Sequence, residues 1–378
     1  MSVFDDLISI IFKLPDGRSL EEYFKNVLLV GKITENDLKP DVTFPENGKK
    51  YASYDEVIAD FGTASQFAVE AQAVFNQKNN TQTTSQIKYL IIFNQKTSES
   101  VKEALDRAKA ADGKFVKVVP ISRDGADIVA CGEWCLTNDR FMDCVVTDVD
   151  DVKTLVASLN NYSYAIYRKN ANEPIASAVA STSTCGYFGG SDGSAQFTQL
   201  VGILPETYTT ELAQIKANNI AFYTNVSPID GGQTDSFGYN WVIGSRMLGG
   251  ELRQRQMIMH YIKKGLGLAI LEFFNTKPKY DEVGNNALYD TATRFFRSCQ
   301  TYNLIIPTTK EQTGFELKVI PIRTGKDSIM NTDIEAYNAK KFKLVGYYYD
   351  AIVGEKVDIT LYCDPTDKQI EQIIGEGE

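Results

Sequence analysis

The sequence predicts an α/β fold, α+β overall, assembled from more than one compact unit. Three observations carry this. Between Ile87 and Ala180 short apolar runs alternate with amphipathic segments, the pattern of a mostly parallel sheet with helices packed on it. Further on, a glycine-rich aromatic loop that starts at Gly231 feeds one long helix, Met247 to Phe274. A Pro/Tyr/Asp/Gly turn and a shorter helix reaching Arg297 follow it. Finally, 378 residues exceed the usual size of a single hydrophobic core.

Taken in order, Leu7 to Leu14 reads as a strand, with Ile8, Ile10, Phe12 and Leu14 on one face and Pro15-Asp16-Gly17 closing it. A second apolar run spans Asn26 to Gly31. Tyr51 to Asn76 is helical: Ser53 with Glu56 makes a capping box, Phe67, Ala71, Val74 and Phe75 mark an apolar face, and Gly62 divides the segment in two. The Asn/Gln/Thr-rich tract from Asn76 to Gln86 is a surface loop. Strands are then expected at Tyr89 to Phe93, Phe115 to Val119, Cys144 to Thr147 and Tyr164 to Tyr167. Helices are expected at Ser100 to Ala111 (opened by Ser100 and Glu103), Ile128 to Leu136, Val152 to Leu159 and from Pro174 to Ala180.

Leu200 to Leu204, Leu212 to Ala217 and Ile220 to Thr224 lead toward the long helix. In that helix Leu248, Leu252, Met259, Ile262, Leu266, Ala269 and Phe273 form one apolar stripe. Met257, Ile258, Tyr261, Leu268, Ile270 and Leu271 widen it, so the helix should be covered on most sides. Beyond it, strands are expected at Phe315 to Arg323, Lys343 to Tyr349 and Lys356 to Tyr362. In the last of these Val357, Ile359 and Leu361 share a face. A short acidic helix and tail run from Asp364 to Glu378.

The 39 basic and 49 acidic side chains leave a net charge of −10, which argues against general nucleic-acid or anionic-membrane binding. The sequence holds no apolar run long enough to span a bilayer, and its start lacks the features of a signal peptide, so a soluble chain made in a cytosol is expected. Six scattered cysteines (131, 135, 144, 185, 299 and 363) form no CxxC pair, and the pattern fits buried reduced thiols.

Few residues invite chemistry. Asp148, Asp150 and Asp151 follow a strand, where carboxylates hold Mg²⁺ or a nucleotide; acidic residues there equally cap a helix. Gly265-Leu-Gly267 is half of a dinucleotide signature, but inside a helix. Gly186 to Gly193 is glycine-rich without the Lys-Ser/Thr ending of a phosphate loop. His260 is the single histidine and sits between Met259 and Tyr261, a place for a packed or surface role rather than catalysis. The basic residues Arg246, Arg253, Arg255, Lys263 and Lys264 make either a solvated helix face or a docking surface for an acidic protein partner. No cofactor is expected.

The order of these pieces resembles the contractile tail sheath proteins of bacteriophages and related injection machines. Gln196-Phe-Thr-Gln-Leu-Val-Gly-Ile-Leu204 is similar to the family's strand before its Thr-rich helix. Glu211 to Tyr223 is similar to the helix and strand that follow. Gly231-Gly232, Gly244 and Gly249-Gly250 precede the long helix, and Tyr280-Asp281 with Gly284 lies at its exit, as in that family. Tyr51 to Gly62, followed by Ala71 to Phe75, resembles the early helix pair.

The resemblance implies an N-terminal arm at 1–20 and an inner domain made of 21–84 and 201–378. That domain would hold the long helix, a mixed sheet built from both termini and a C-terminal arm at about 342–378. Residues 85–200 would be an inserted outer α/β domain. It implies self-assembly into stacked rings in a helix around a tail tube, with baseplate and tail terminator proteins as further partners. Subunits would exchange strands through Ile8, Ile10, Phe12, Val357, Ile359 and Leu361. Arg253, Arg255, Lys263 and Lys264 would touch the tube or a neighbour. The role would be structural rather than enzymatic, in a virion tail assembled in host cytoplasm. The competing readings are a cytosolic α/β enzyme using Asp148 to Asp151 with a metal or nucleotide, and another tail or baseplate component.

Overall fold

The computed structural model describes residues 20–77, 87–149, 161–182, 194–208, 210–227, 238–310, 313–319, 342 and 344–351. Its centre is a six-stranded sheet. Helix α1 (Leu20–Lys25) leads into β1 (Val27–Gly31), and β2 (Lys49–Tyr51), α2 (Tyr54–Asp60) and α3 (Gln66–Asn76) follow. Then come β3 (Leu90–Asn94), α4 (Val101–Ala111), β4 (Lys117–Pro120), α5 (Gly125–Thr137), β5 (Phe141–Val146), β6 (Ser163–Tyr167) and α6 (Ile175–Thr182). The strand order is β2-β3-β1-β4-β5-β6; all pairings are parallel except that of β2 with β3.

The sequence of β1, VLLVG, is apolar without alternation because both faces of the strand are covered. Val27 and Leu29 join a core shared with α3 and α6, whereas Leu28 and Val30 join the opposite core with α4 and α5. β1 and β2 lie in the segment expected to accompany the long helix, yet they are built into this sheet, β1 at its middle. A fully apolar strand needs a neighbour on each side, and β3 and β4 supply them.

The helix starts follow the capping chemistry in the sequence. The Ser100 hydroxyl accepts from the Glu103 N–H, and the Glu103 carboxylate accepts from the Ser100 N–H. At α2 the same exchange is shifted by one residue: Glu56 accepts from Ala52 N–H rather than from that of Ser53. The chain does break at Gly62, and α3 restarts from Ser65.

After the sheet, α7 (Leu212–Ala217) precedes an antiparallel ribbon of β7 (Phe222–Val226) and β8 (Tyr239–Ile243). The ribbon is docked on the edge of β6, where Tyr167 N–H donates to Ala221 O and Ala221 N–H to Ala165 O. Of the strand that the resemblance implied over Gln196 to Leu204, residues 200–204 form a turn and an irregular run instead. The strand-like pairing lies just before them, where Phe197 and Thr198 bond the backbone of Val242.

The long helix, α8 (Arg253–Asn275), starts six residues later than the sequence suggested. Residues 247–252 fold into a turn closed by Met247 N–H to Glu251 O, with Gly250 at φ 95°. Helix α9 (Glu282–Thr301), capped by Asp281, packs back against it. Strands β9 (Phe315–Val319) and β10 (Leu344–Tyr348) form a separate antiparallel pair over these helices.

Candidate functional site

Helix α8 has two buried faces of different chemistry. Ile258 and Ile262, with Phe296 of α9, make an apolar core, and Ile270 and Phe273 make another with Leu288. The helices approach closely because residue 265 is glycine: a Cβ there would lie 2.3 Å from Cε2 of Phe295. This is the physical role of the Gly265-Leu-Gly267 sequence.

The second face is polar. Arg253, His260 and Lys264 point toward the six-stranded sheet, where the sequence suggested exposed charge. Asp143 lies in the buried strand β5, and a carboxylate there requires compensation. Arg253 Nη2 donates to Asp143 Oδ1 at 2.8 Å, with both side chains 1% exposed, and Lys117 Nζ lies 3.8 Å from Asp143 Oδ2. The guanidinium also sits 4.7 Å over the Tyr164 ring. The Tyr164 hydroxyl donates to Gly244 O at 2.6 Å, and burial pushes it above its ordinary range.

Asp139, in the turn before β5 with φ 55°, anchors the other end. It accepts from Lys263 Nζ at 2.8 Å, Lys264 Nζ at 3.3 Å and Tyr162 Oη at 3.1 Å. Burial pushes its carboxyl up, but the Lys263 hydrogen bond and the surrounding positive charges outweigh this and hold it well below the usual range. Burial lowers Lys264 to about 8, against the pull of Asp139. His260 Nε2 meets the Tyr23 hydroxyl at 2.8 Å, and that hydroxyl also accepts from Arg140 Nη1 at 3.0 Å.

Arg253 and Lys264, expected at the surface against a tube or neighbour, are therefore enclosed within the chain. Lys263 and Arg255 remain partly exposed; Arg255 Nε pairs with Asp350 at 2.8 Å. His260, which the sequence left between a packed and a surface role, is packed. Asp148 is exposed just past β5, while Asp150 and Asp151 lie outside the described residues. Among the described residues no cluster of three His, Cys, Asp or Glu has metal-site geometry. Cys131, Cys135, Cys144 and Cys299 are buried free thiols, and Cys185 and Cys363 lie outside the described residues. So do Gly186 to Gly193, residues 1–19 of the N-terminal arm and the strand positions Ile8, Ile10, Phe12, Val357, Ile359 and Leu361; of the C-terminal arm, 342 and 344–351 are described.

The β9–β10 pair presents a second surface. Phe315, Leu317, Leu344 and Tyr348 turn inward onto α8 and α9. The opposite face carries Val345, Tyr347 and Tyr349, exposed by 58%, 49% and 43%. Tyr347 Oη donates to Glu316 Oε2 at 2.6 Å. Among the described residues, each of the two strands has one strand partner, so the pair can accept further strands at its edges. The alternation of Val345, Tyr347 and Tyr349 is legible in the sequence; the pairing of Asp139 and Asp143 with α8 spans more than a hundred residues and has no local signal.

No family model matches the sequence, and no curated protein matches it. Solved structures do match. The sheath of an extracellular contractile injection system, PVC, in its contracted state superposes with a TM-score of 0.61 at 12% identity, over 94% of this chain and 95% of that one. The contracted helical sheath of the anti-feeding prophage gives 0.59 at 11% identity, over 94% and 100%. A sheath tail protein from Listeria innocua gives 0.53 at 8% identity, over 88% and 93%. The chain has the fold of these sheath proteins along nearly its whole length.

Proposed function

We propose that this chain, which carries the sheath fold from end to end, is a subunit of a contractile sheath, polymerising helically around an inner tube and contracting to drive that tube forward. The observation that carries the reading is the match over nearly the full length of both compared chains. The role is mechanical rather than enzymatic. The partners are copies of the chain itself, a tube protein, and baseplate and terminator proteins. The likeness is greater to the injection-system sheaths, at 0.61 and 0.59, than to the sheath tail protein, at 0.53. This favours a compact injection-type machine, with a phage tail, and so a virion, as the second reading.

Assembly would use the open edges of β9 and β10. A strand from a neighbour's 7–14 or 356–362 segment would extend the pair by β-augmentation, with Ile8, Ile10 and Phe12, or Val357, Ile359 and Leu361, facing inward. Such head-to-tail contacts propagate rather than close. The arms stay tied while the bodies rotate between two packings, with a kinetic barrier holding the extended one.

Sedimentation tests the arms. The full chain should polymerise, and a variant lacking residues 1–18 should sediment as a monomer with unchanged circular dichroism. Polymers of undiminished length from the truncated chain would refute strand exchange.

A further inference from the structure

The polar face of α8 holds the single histidine of the chain in surroundings built for its neutral form. His260 is 3% exposed. Its ring lies among those of Tyr23 and Phe24 on α1 and Phe141 on β5, with centroids 5.7, 5.6 and 5.3 Å away. Nε2 is bonded to the Tyr23 hydroxyl, whereas Nδ1 meets no hydrogen-bond partner among the described residues. A proton added at Nδ1 would gain no acceptor from them.

The charges around it make that proton still less welcome. From α8 itself come Lys263 and Lys264, and from the turn before β5 come Arg140 and Asp139. Tyr162, ahead of β6, and Cys135, on α5, add neutral groups near Asp139 and Tyr23. Among the described residues, the charged groups facing His260 are thus three cations and one carboxylate, and that carboxylate is already bonded to two of the cations.

We propose that this contact is an acid-labile joint, in which protonation of His260 at Nδ1 buries an uncompensated charge among cations and loosens α8 from α1 and the six-stranded sheet. Burial first, and the charge of Lys264 next, hold the imidazole well below its ordinary value of about 6.5. The sign follows. The unfolded or opened chain takes up a proton as pH falls through about 6.5, while the closed joint does not, so the joint loses stability with acidification and is fully formed above neutrality. Asp139, held low, gives way only at more acid pH, which leaves pH 7 to 5 to the histidine.

Deuterium exchange of the full chain tests this. Backbone exchange in α1 and the first half of α8 should speed up between pH 7 and 5, once corrected for intrinsic exchange, by roughly 25-fold from one proton. His260→Gln, which keeps a polar group for Tyr23 but takes up no proton, should flatten that rise. Equal pH slopes in the two proteins would overturn the proposal. A readout on the unaltered chain, exchange at the His260 ring carbon, should show no inflection near pH 6.5 in the closed protein. An inflection there would overturn it as well, because the site would then accept the charge.

Discussion

At the scale of residues, the joint between α8 and the sheet depends on charges that lie far apart in sequence. Asp143 faces two cations, hydrogen-bonded to Arg253 at 2.8 Å and in ion-pair range of Lys117 at 3.8 Å. Arg253→Met removes one ion pair and leaves the other, whereas Asp143→Asn removes both and strands two buried cations. Breaking a buried pair costs about 3–5 kcal/mol, so Arg253→Met should fall near the lower end and Asp143→Asn at or beyond the upper. Urea midpoints at neutral pH give the comparison, and equal losses, or the reverse order, would show that Asp143 does not organise the cluster. None of this was legible in the sequence. Arg253 and Lys264 are two of the four basic residues of the helix, and local reading assigns such residues to solvent. Only the burial of Asp143 and Asp139 from distant segments draws them in.

At the scale of elements, local signals did well wherever the element is held by local chemistry. The Ser100–Glu103 box, the break at Gly62 and the uninterrupted apolar strands β1 and β3 are all visible in the sequence and present in the fold. The apolar spacing of Met247, Leu248 and Leu252 extends the expected helix too early; Met247 and Leu248 instead sit in the preceding turn, which Gly250 permits, and bury into the two cores of the sheet. The single stripe read along α8 failed for a related reason. Helix α8 is buried on two sides, and Met259, counted in the stripe, is 45% exposed.

The contact of α8 with α9 makes a prediction of its own. Gly265→Ala places a methyl group against Phe295, and overpacking of that kind costs about 1–3 kcal/mol, against a gain of about 1 kcal/mol in helix propensity. The net effect should be destabilising in the natural chain. In a Phe295→Ala background it should become stabilising by about 1 kcal/mol. Thermal denaturation of the four proteins decides, and a loss of equal size in both backgrounds would place the glycine's role elsewhere.

At the scale of the whole molecule, the order of pieces in the sequence resembled a contractile sheath subunit, and the fold matches such subunits along nearly the full length despite 8–12% identity. What travels across that distance is the fold. The α/β pattern alone left an enzyme open as an alternative, because strand–helix alternation is shared by many nucleotide-binding folds. Of the aspartates that reading would use, Asp148 is exposed past β5, and Asp150 and Asp151 lie outside the described residues. The central claim is that copies of this chain complete one another. Electron micrographs of the purified full-length protein, concentrated at neutral pH, test it most directly. The account predicts cogwheel rings and hollow cylinders of uniform diameter with a regular axial repeat. A field of discrete monomers at every concentration would contradict it.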